Sequence, residues 1–283
     1  MLSCYTTNLV AHLRRVDPSI EGRFAAAVAL SVRLDADGGR LAFLQHRPVG
    51  PALGYGSAAT WYEARRGLAD ECGRRGEVLA VANTRNLPWC PGYGIQDTPH
   101  WIRLTAFDGA QWHVVDGFEA VLPLGEQRPF DAWASDEELR SLLTPLPPLE
   151  GHVQARDVHA LGAAERVPEP GRYRWLAQDA DTRIARSGEW IDGTVEALRY
   201  LQRRLATDPD TLRFHAEDLW AASRHHQYRF ADQPGVGAAW GELPRALSYA
   251  LQSAERGRPR PTLIARSLER IIDASSLASE TAL

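Results

Sequence analysis

Three side chains in this sequence have the chemistry of a nucleophile, a base and an orienting acid: Cys4, His100 and Asp116. A free thiol is too weak an acid to be mostly thiolate at neutral pH. A cysteine that attacks carbon therefore needs a helix N-terminus, an adjacent imidazole, or both. Cys4 heads the run Tyr5 to Arg15, in which Leu9, Val10, Leu13 and Val16 recur at helical spacing. That pattern predicts a short amphipathic helix with the thiol in or just before its first turn. His100 would supply the imidazole, and Asp116 would accept its other ring N–H, fixing the tautomer and stabilising the imidazolium that forms. The other two cysteines read differently. Cys72 falls on the apolar stripe of a helix expected from a Ser57 cap to about Arg75, the ordinary setting of an inert thiol. Cys90 sits in a Pro/Gly loop among aromatics, at the surface or lining a pocket.

The pairing of His100 with Asp116 depends on a hairpin. His100 to Ala106 and Ala110 to Asp116 read as strands around Asp108-Gly109. With a three-residue loop of Phe107, Asp108 and Gly109, Ala106 faces Ala110 and His100 faces Asp116. The two then share a face with Ile102, Leu104, Ala106, Ala110, Trp112 and Val114. A tight two-residue turn would slip the register by one and send them to opposite faces. The longer loop is preferred because it leaves the less polar face intact.

Elsewhere the pattern is mixed. Ala27 to Leu34 and Leu41 to Gln45 predict a hairpin around Asp35 to Gly39, with helix open for the Ala-rich first half, and Val78 to Ala82 a strand. Past the Leu/Pro-rich stretch Pro145 to Glu150 there is a strand at Arg172 to Ala177. Amphipathic runs then follow at about 189–206, 211–230, 238–254 and 262–275, with the residues after Ile272 expected to fray. The expectation is an α+β chain: a cysteine-enzyme domain over 1–147 and a mainly helical domain over 148–283.

The 283 residues carry a formal charge of -4, and every cationic side chain is Arg. No basic footprint points to nucleic acid or an anionic membrane. No run approaches the roughly eighteen apolar residues of a membrane span, and the first residues lack the layout of a secretion signal, so a cytoplasmic protein without membrane or nucleic-acid partners is expected. Three irregularly spaced cysteines indicate neither a disulfide framework nor a Cys-x-x-Cys metal site, and no metal is expected. Glycine-containing loops at 54–57 and 92–94 lack the Lys and preceding strand of a phosphate loop. His225-His226 cannot both meet one ion from a regular helix. Arg199, Arg203, Arg204 and Arg213 read as a solvated face that could also meet an acidic carrier protein.

The order of Cys, helix, His-leading strand, hairpin and Val-Val-Asp resembles the papain-like fold of bacteriocin-processing cysteine peptidases. It resembles still more closely the butirosin biosynthesis protein H family. That family's Cys-x-x-Thr-x-Leu is matched by Cys4, Thr7 and Leu9. Its His-aromatic strand and Asp-Gly turn are matched by His100, Trp101, Asp108 and Gly109, closing on Val114-Val115-Asp116. The resemblance covers roughly residues 1–145. It implies an acyltransferase of natural-product biosynthesis, with the phosphopantetheine arm of an acyl or peptidyl carrier protein as donor, a small-molecule amine as acceptor and no tightly bound cofactor. Cys4 would carry the acyl group, His100 would serve as base and then acid, and Asp116 would orient it. The peptidases place an oxyanion-hole Gln several positions before the cysteine, where only Met1, Leu2 and Ser3 stand here; backbone N–H groups at Cys4 would have to serve. Two other outcomes share the sequence: a thioesterase, amidase or off-loading cyclase using the same triad, and a catalytically silent carrier-protein-binding module.

Overall fold

A computed structural model describes residues 2–34, 40–122, 125–178, 180 and 182–281. In chain order its elements are α1 (Cys4–Leu13), α2 (Ile20–Ala27), β1 (Val28–Arg33), β2 (Ala42–His46), β3 (Leu53–Ala58), α3 (Trp61–Arg75), β4 (Val78–Asn83), β5 (Pro99–Phe107), β6 (Gln111–Asp116), β7 (Ala120–Leu122), β8 (Gly125–Gln127), β9 (Phe130–Ser135), α4 (Asp136–Leu142), α5 (Gly151–His159), β10 (Tyr173–Gln178), β11 (Trp190–Asp192), α6 (Thr194–Thr207), α7 (Pro209–Arg229), α8 (Pro234–Glu255) and α9 (Pro261–Thr281). The chain is mixed α+β, with a sheet-containing unit and a helical C-terminal region. No helix among the described residues is long and apolar enough to cross a membrane.

The chain divides into two compact units, and the division is not the expected one at 147/148. One unit holds Met1–Glu21 and Pro48–Arg186, the other Gly22–Arg47 and Ser187–Leu283. Strand pairing is the reason. β10, from beyond the Leu/Pro-rich stretch, is hydrogen-bonded between β3 and β4, which draws the segment into the first unit. β11 pairs with β1, which draws the early β1–β2 hairpin into the second. The turn expected at Asp35 to Gly39 lies outside the described residues.

The first unit is built on a six-stranded antiparallel sheet in the order β3-β10-β4-β5-β6-β9. Alternation along the strands puts Val78, Ala80, Ala82, Ile102, Leu104, Trp112, Val114 and Ala134 in one buried cluster with Ala64, Leu68 and Cys72 of α3 and Leu139 and Leu142 of α4. Burying each larger side chain contributes about 1.5–3 kcal/mol before the entropy of ordering it. The helix α3 starts at a Thr60 cap whose hydroxyl accepts from the Glu63 N–H, with Glu63 reaching back to the Thr60 N–H. Ser57, the expected cap, is instead in β3, paired with Arg174.

α1 packs along β5. Tyr5 meets Trp101 edge-on at 4.8 Å, and Glu77, 2% exposed, is contacted by His12 at 2.7 Å and by Arg15 and Arg103 at 3.3 Å each. Burial raises the Glu77 carboxyl, but those three partners together hold it below its ordinary value. The helix closes at Leu13, so Val16 is exposed rather than part of the buried stripe.

In the second unit α6 to α9 pack together, with α6 and α7 also against β1. α9 stays helical through Thr281, past the fraying expected after Ile272.

Candidate active site

Cys4 is the first residue of α1. Ser3 caps the helix: its hydroxyl accepts from the Thr6 N–H, and the Ser3 N–H donates to Thr6 Oγ1 at 3.0 Å. The thiol is thus held at the positive end of the helix dipole. Cys4 is part-exposed, whereas Cys72 and Cys90 are buried.

The β5–β6 hairpin reaches the expected facing by an unexpected route. The turn is tight: the Asp108 N–H donates to the Gln111 carbonyl at 3.2 Å around Gly109-Ala110. The Asp108 side chain accepts from Ala110 and Gln111, and Gly109 has φ 101°. Phe107 therefore pairs with Trp112 and Ala106 with His113. Continued unbroken, that register would set Asp116 opposite Arg103, on the face away from His100. It is broken by a β-bulge at Thr105, beyond which Leu104 pairs with Val114 and Arg103 with Val115. The extra residue in β5 flips the remaining strand, so His100 and Asp116 return to one face as diagonal rather than opposite neighbours. Phe107 and Ala106 exchange faces relative to expectation, and Phe107 stacks on Trp112 at 4.2 Å.

His100 Nε2 and Asp116 Oδ2 lie 2.6 Å apart, with the imidazole 3% and the carboxylate 0% exposed. Asp116 is heavily committed. Oδ2 also accepts from Trp89 Nε1 at 2.8 Å and Gln127 Nε2 at 3.3 Å; Oδ1 accepts from Asn8 Nδ2 at 2.9 Å and the Phe118 N–H at 3.0 Å. Burial alone would raise this carboxyl, but the His100 charge and the donated hydrogen bonds outweigh it and hold the group below the ordinary Asp value. For His100 the balance also inverts. Burial pushes the imidazole down, yet the Asp116 carboxylate lifts it well above its ordinary value, helped by the Cys90 sulfur, by the hydrogen bond to Asp116 and by Cys4. With Nε2 on Asp116, Nδ1 is the ring nitrogen left for the Cys4 thiol.

Of the three expected residues, His100 and Asp116 are therefore brought into direct contact, and Cys4 acts on the same ring by raising it. The sequence reading did not find the residues around them. Asn8 lies one turn after Cys4 and bridges three groups: Nδ2 donates to Asp116 and to the Trp101 carbonyl at 2.7 Å, and Oδ1 accepts from the Gly117 N–H at 3.2 Å. Its i, i+4 spacing from Cys4 was the available signal. Trp89, which also stacks on Phe130 at 3.9 Å, belongs to the aromatic loop that could have lined a cleft or served as core, and Gln127, at the end of β8, carried no signal.

Cys90 is the larger surprise. Its sulfur, a His100 ring nitrogen and an Asp116 oxygen lie within 4.8 Å of one another. Burial pushes the Cys90 thiol up to about 11, against the opposing pull of His100. Burial thus disfavours its thiolate, and the Asp116 carboxylate is the larger of the two influences that raise the imidazole. Cys72 is the structural thiol expected, raised by burial, with Sγ 3.8 Å from the Leu104 carbonyl. Of the arginines considered for a carrier protein, Arg204 and Arg213 are engaged with Asp208 and Asp210, as on a solvated face.

The chain matches no protein-family model, and no curated protein matches it in sequence.

Proposed function

We propose that the chain is a cysteine-dependent acyltransferase of papain-like fold. It would move an acyl or aminoacyl group from a carrier-protein thioester, through a thioester on Cys4, to an amine acceptor. The observation that carries this reading is the pair itself, a buried imidazole whose Nε2 lies 2.6 Å from a buried carboxylate, together with a part-exposed thiol at a helix N-terminus that helps to raise that imidazole. Cys4 is favoured over Cys90 as nucleophile because Cys90 is buried and its thiol is pushed up to about 11.

His100 takes the Cys4 proton, and the imidazolium stabilises the negative charge on the attacking sulfur. As the tetrahedral intermediate collapses, His100 returns the proton to the departing phosphopantetheine sulfur, leaving the acyl group on Cys4. In the second half the imidazole removes a proton from the attacking amine and passes it to the Cys4 sulfur as the amide forms. Asp116 keeps the ring oriented and compensates its charge without itself taking the proton. The α1 cap occupies the Ser3 and Thr6 amides, and the Thr7 N–H opens the helical ladder on the Ser3 carbonyl. The Cys4 and Tyr5 amides are then the first-turn donors for the oxyanion.

The test is intact-protein mass spectrometry after incubation with an acylated carrier protein, followed by peptide mapping. An acyl increment on Cys4, absent in Cys4→Ala and discharged by added amine, is expected. A fully folded protein that gains no acyl group, or gains it on Cys90, overturns the reading.

A further inference from the structure

The proposed thiol stands on α1, and its imidazole and carboxylate stand on the β5–β6 hairpin of the same unit. The two elements must keep one registry, because a misplacement of about 1 Å between reacting groups can cost about a hundredfold in rate. Asn8 spans the division. It is fully buried one helical turn after Cys4, and its side chain meets the hairpin at three points. Nδ2 donates to the Trp101 carbonyl at 2.7 Å and to Asp116 Oδ1 at 2.9 Å, and Oδ1 accepts from the Gly117 N–H at 3.2 Å. The same nitrogen lies 3.5 Å from the Cys4 carbonyl. These partners fix which way the amide faces. Reversed, its oxygen would point at a carbonyl and a carboxylate, and its NH2 at a backbone N–H.

The two oxygens of Asp116 are held from different sides. Oδ2, the atom against His100, also accepts from Trp89 and Gln127; Oδ1 accepts from the Phe118 amide two residues on and from Asn8. Asn8 is thus the α1 side chain that helps to set the rotation of the carboxylate. The tie at the other end of the helix differs in kind: His12 and Arg15 reach Glu77, which touches neither His100 nor Asp116. We propose that Asn8 is a positioning residue, which turns the Asp116 carboxylate toward His100 from the helix that carries Cys4 and so holds helix and hairpin in one registry. It takes no proton and touches no reacting atom. Its effect on the His100–Asp116 bond stands on these contacts alone; only its consequence for rate rests on the transferase reading.

The test uses the full chain. By NMR, the nitrogen chemical shift of His100 Nε2 is read through the ring C–H protons. Asn8→Ala should move it part of the way toward its value in Asp116→Asn, and Glu77→Gln, which loosens the same helix elsewhere, should leave it in place. In the unmodified chain both Asn8 Nδ2 protons should resist exchange with solvent and shift as His100 is titrated, a measurement that needs no variant to fold. Acyl loading of Cys4 then closes a double-mutant cycle. Asn8→Ala alone should slow loading about 10–100-fold with KM for the carrier protein unchanged. In an Asp116→Asn background it should cost less than about threefold, because its action passes through that carboxylate. A His100 shift unmoved by Asn8→Ala in folded protein, or moved equally by Glu77→Gln, overturns the proposal. So do Asn8 amide protons that exchange like those of an exposed asparagine, or equal slowing of loading in both backgrounds. A chain whose His100 and Asn8 signals behave as stated but which never loads an acyl group overturns the transferase reading and upholds the positioning role.

Discussion

His100 in the first unit and His226 in the second are almost equally buried, at 3% and 1% exposed, yet their surroundings push them in opposite directions. His226 stacks on Trp240 at 4.1 Å; its Nδ1 donates to the Ala222 carbonyl one helical turn back, and its Nε2 lies 3.4 Å from the Thr194 hydroxyl. These partners suit a neutral ring, and burial drives the group down to about 4, against the pull of the Ala222 carbonyl. Its neighbour His225 is pushed well below its ordinary value by burial and then by the nearby His46. His100 meets the same desolvation but has a buried carboxylate at 2.6 Å, and it is raised instead. Burial makes a histidine neutral unless a fixed counter-charge is buried with it, and this is what separates His100 from His225 and His226.

Removing the counter-charge is the strongest way to break this contrast. Asp116→Asn should lower turnover by about a thousand- to ten-thousand-fold, as expected when the acid that sets the tautomer is lost. By NMR, His100 should then titrate downward, in the direction of His226; an unshifted His100 would refute the role given to Asp116. Asp116→Ala, which strands five donors, should destabilise the fold by about 3–5 kcal/mol in denaturant unfolding.

Acid should separate the two regions without a mutation. His226 has a folded value of about 4 against ~6.5 in an unfolded chain, a gap of about 3 kcal/mol. The unfolded state binds more protons in that interval, so stability falls as pH drops from about 6.5 to about 4. Asp116 behaves differently: its folded value is lowered, so its contribution is present above the unfolded carboxylate value and fades only as pH falls through the lower folded one. Hydrogen exchange from pH 7 to 4 should therefore show α7 losing protection before β5 and β6, and His226→Phe should flatten the acid limb. Simultaneous loss would show that the α7 histidines are not the sensitive groups. The smallest effect belongs to Trp89→Phe, which keeps the stack on Phe130 but removes one donor from Asp116. A loss of about 1.5–3 kcal/mol is expected in thermal unfolding.

Much of the local structure was legible in the chain. The apolar stripe from Leu9 to Leu13 and the alternation in β5 and β6 are encoded in neighbouring residues, and α1, α3, β4, the hairpin and the helices α7 to α9 form close to where the pattern places them, whereas α6 starts only after β11. Residue chemistry also singled out Cys4, His100 and Asp116, because few side-chain types can activate a thiol.

Tertiary structure decided the rest. The tight turn at Gly109-Ala110 by itself sends His100 and Asp116 to opposite faces, and the bulge at Thr105 reverses that, a choice set by strand pairing rather than by the residue type. β10 joins the first sheet, and the β1–β2 hairpin leaves for the second unit, because unpaired strand edges are satisfied by whichever strand arrives alongside. The approach of Cys90, Trp89 and Gln127 to the His100-Asp116 pair brings a loop before β5 and the end of β8 to one point, with Trp89 27 and Gln127 11 residues along the chain from Asp116 and outside any shared element. Periodicity reports only a residue's near neighbours, so nothing in it could foretell a second sulfur beside the ring.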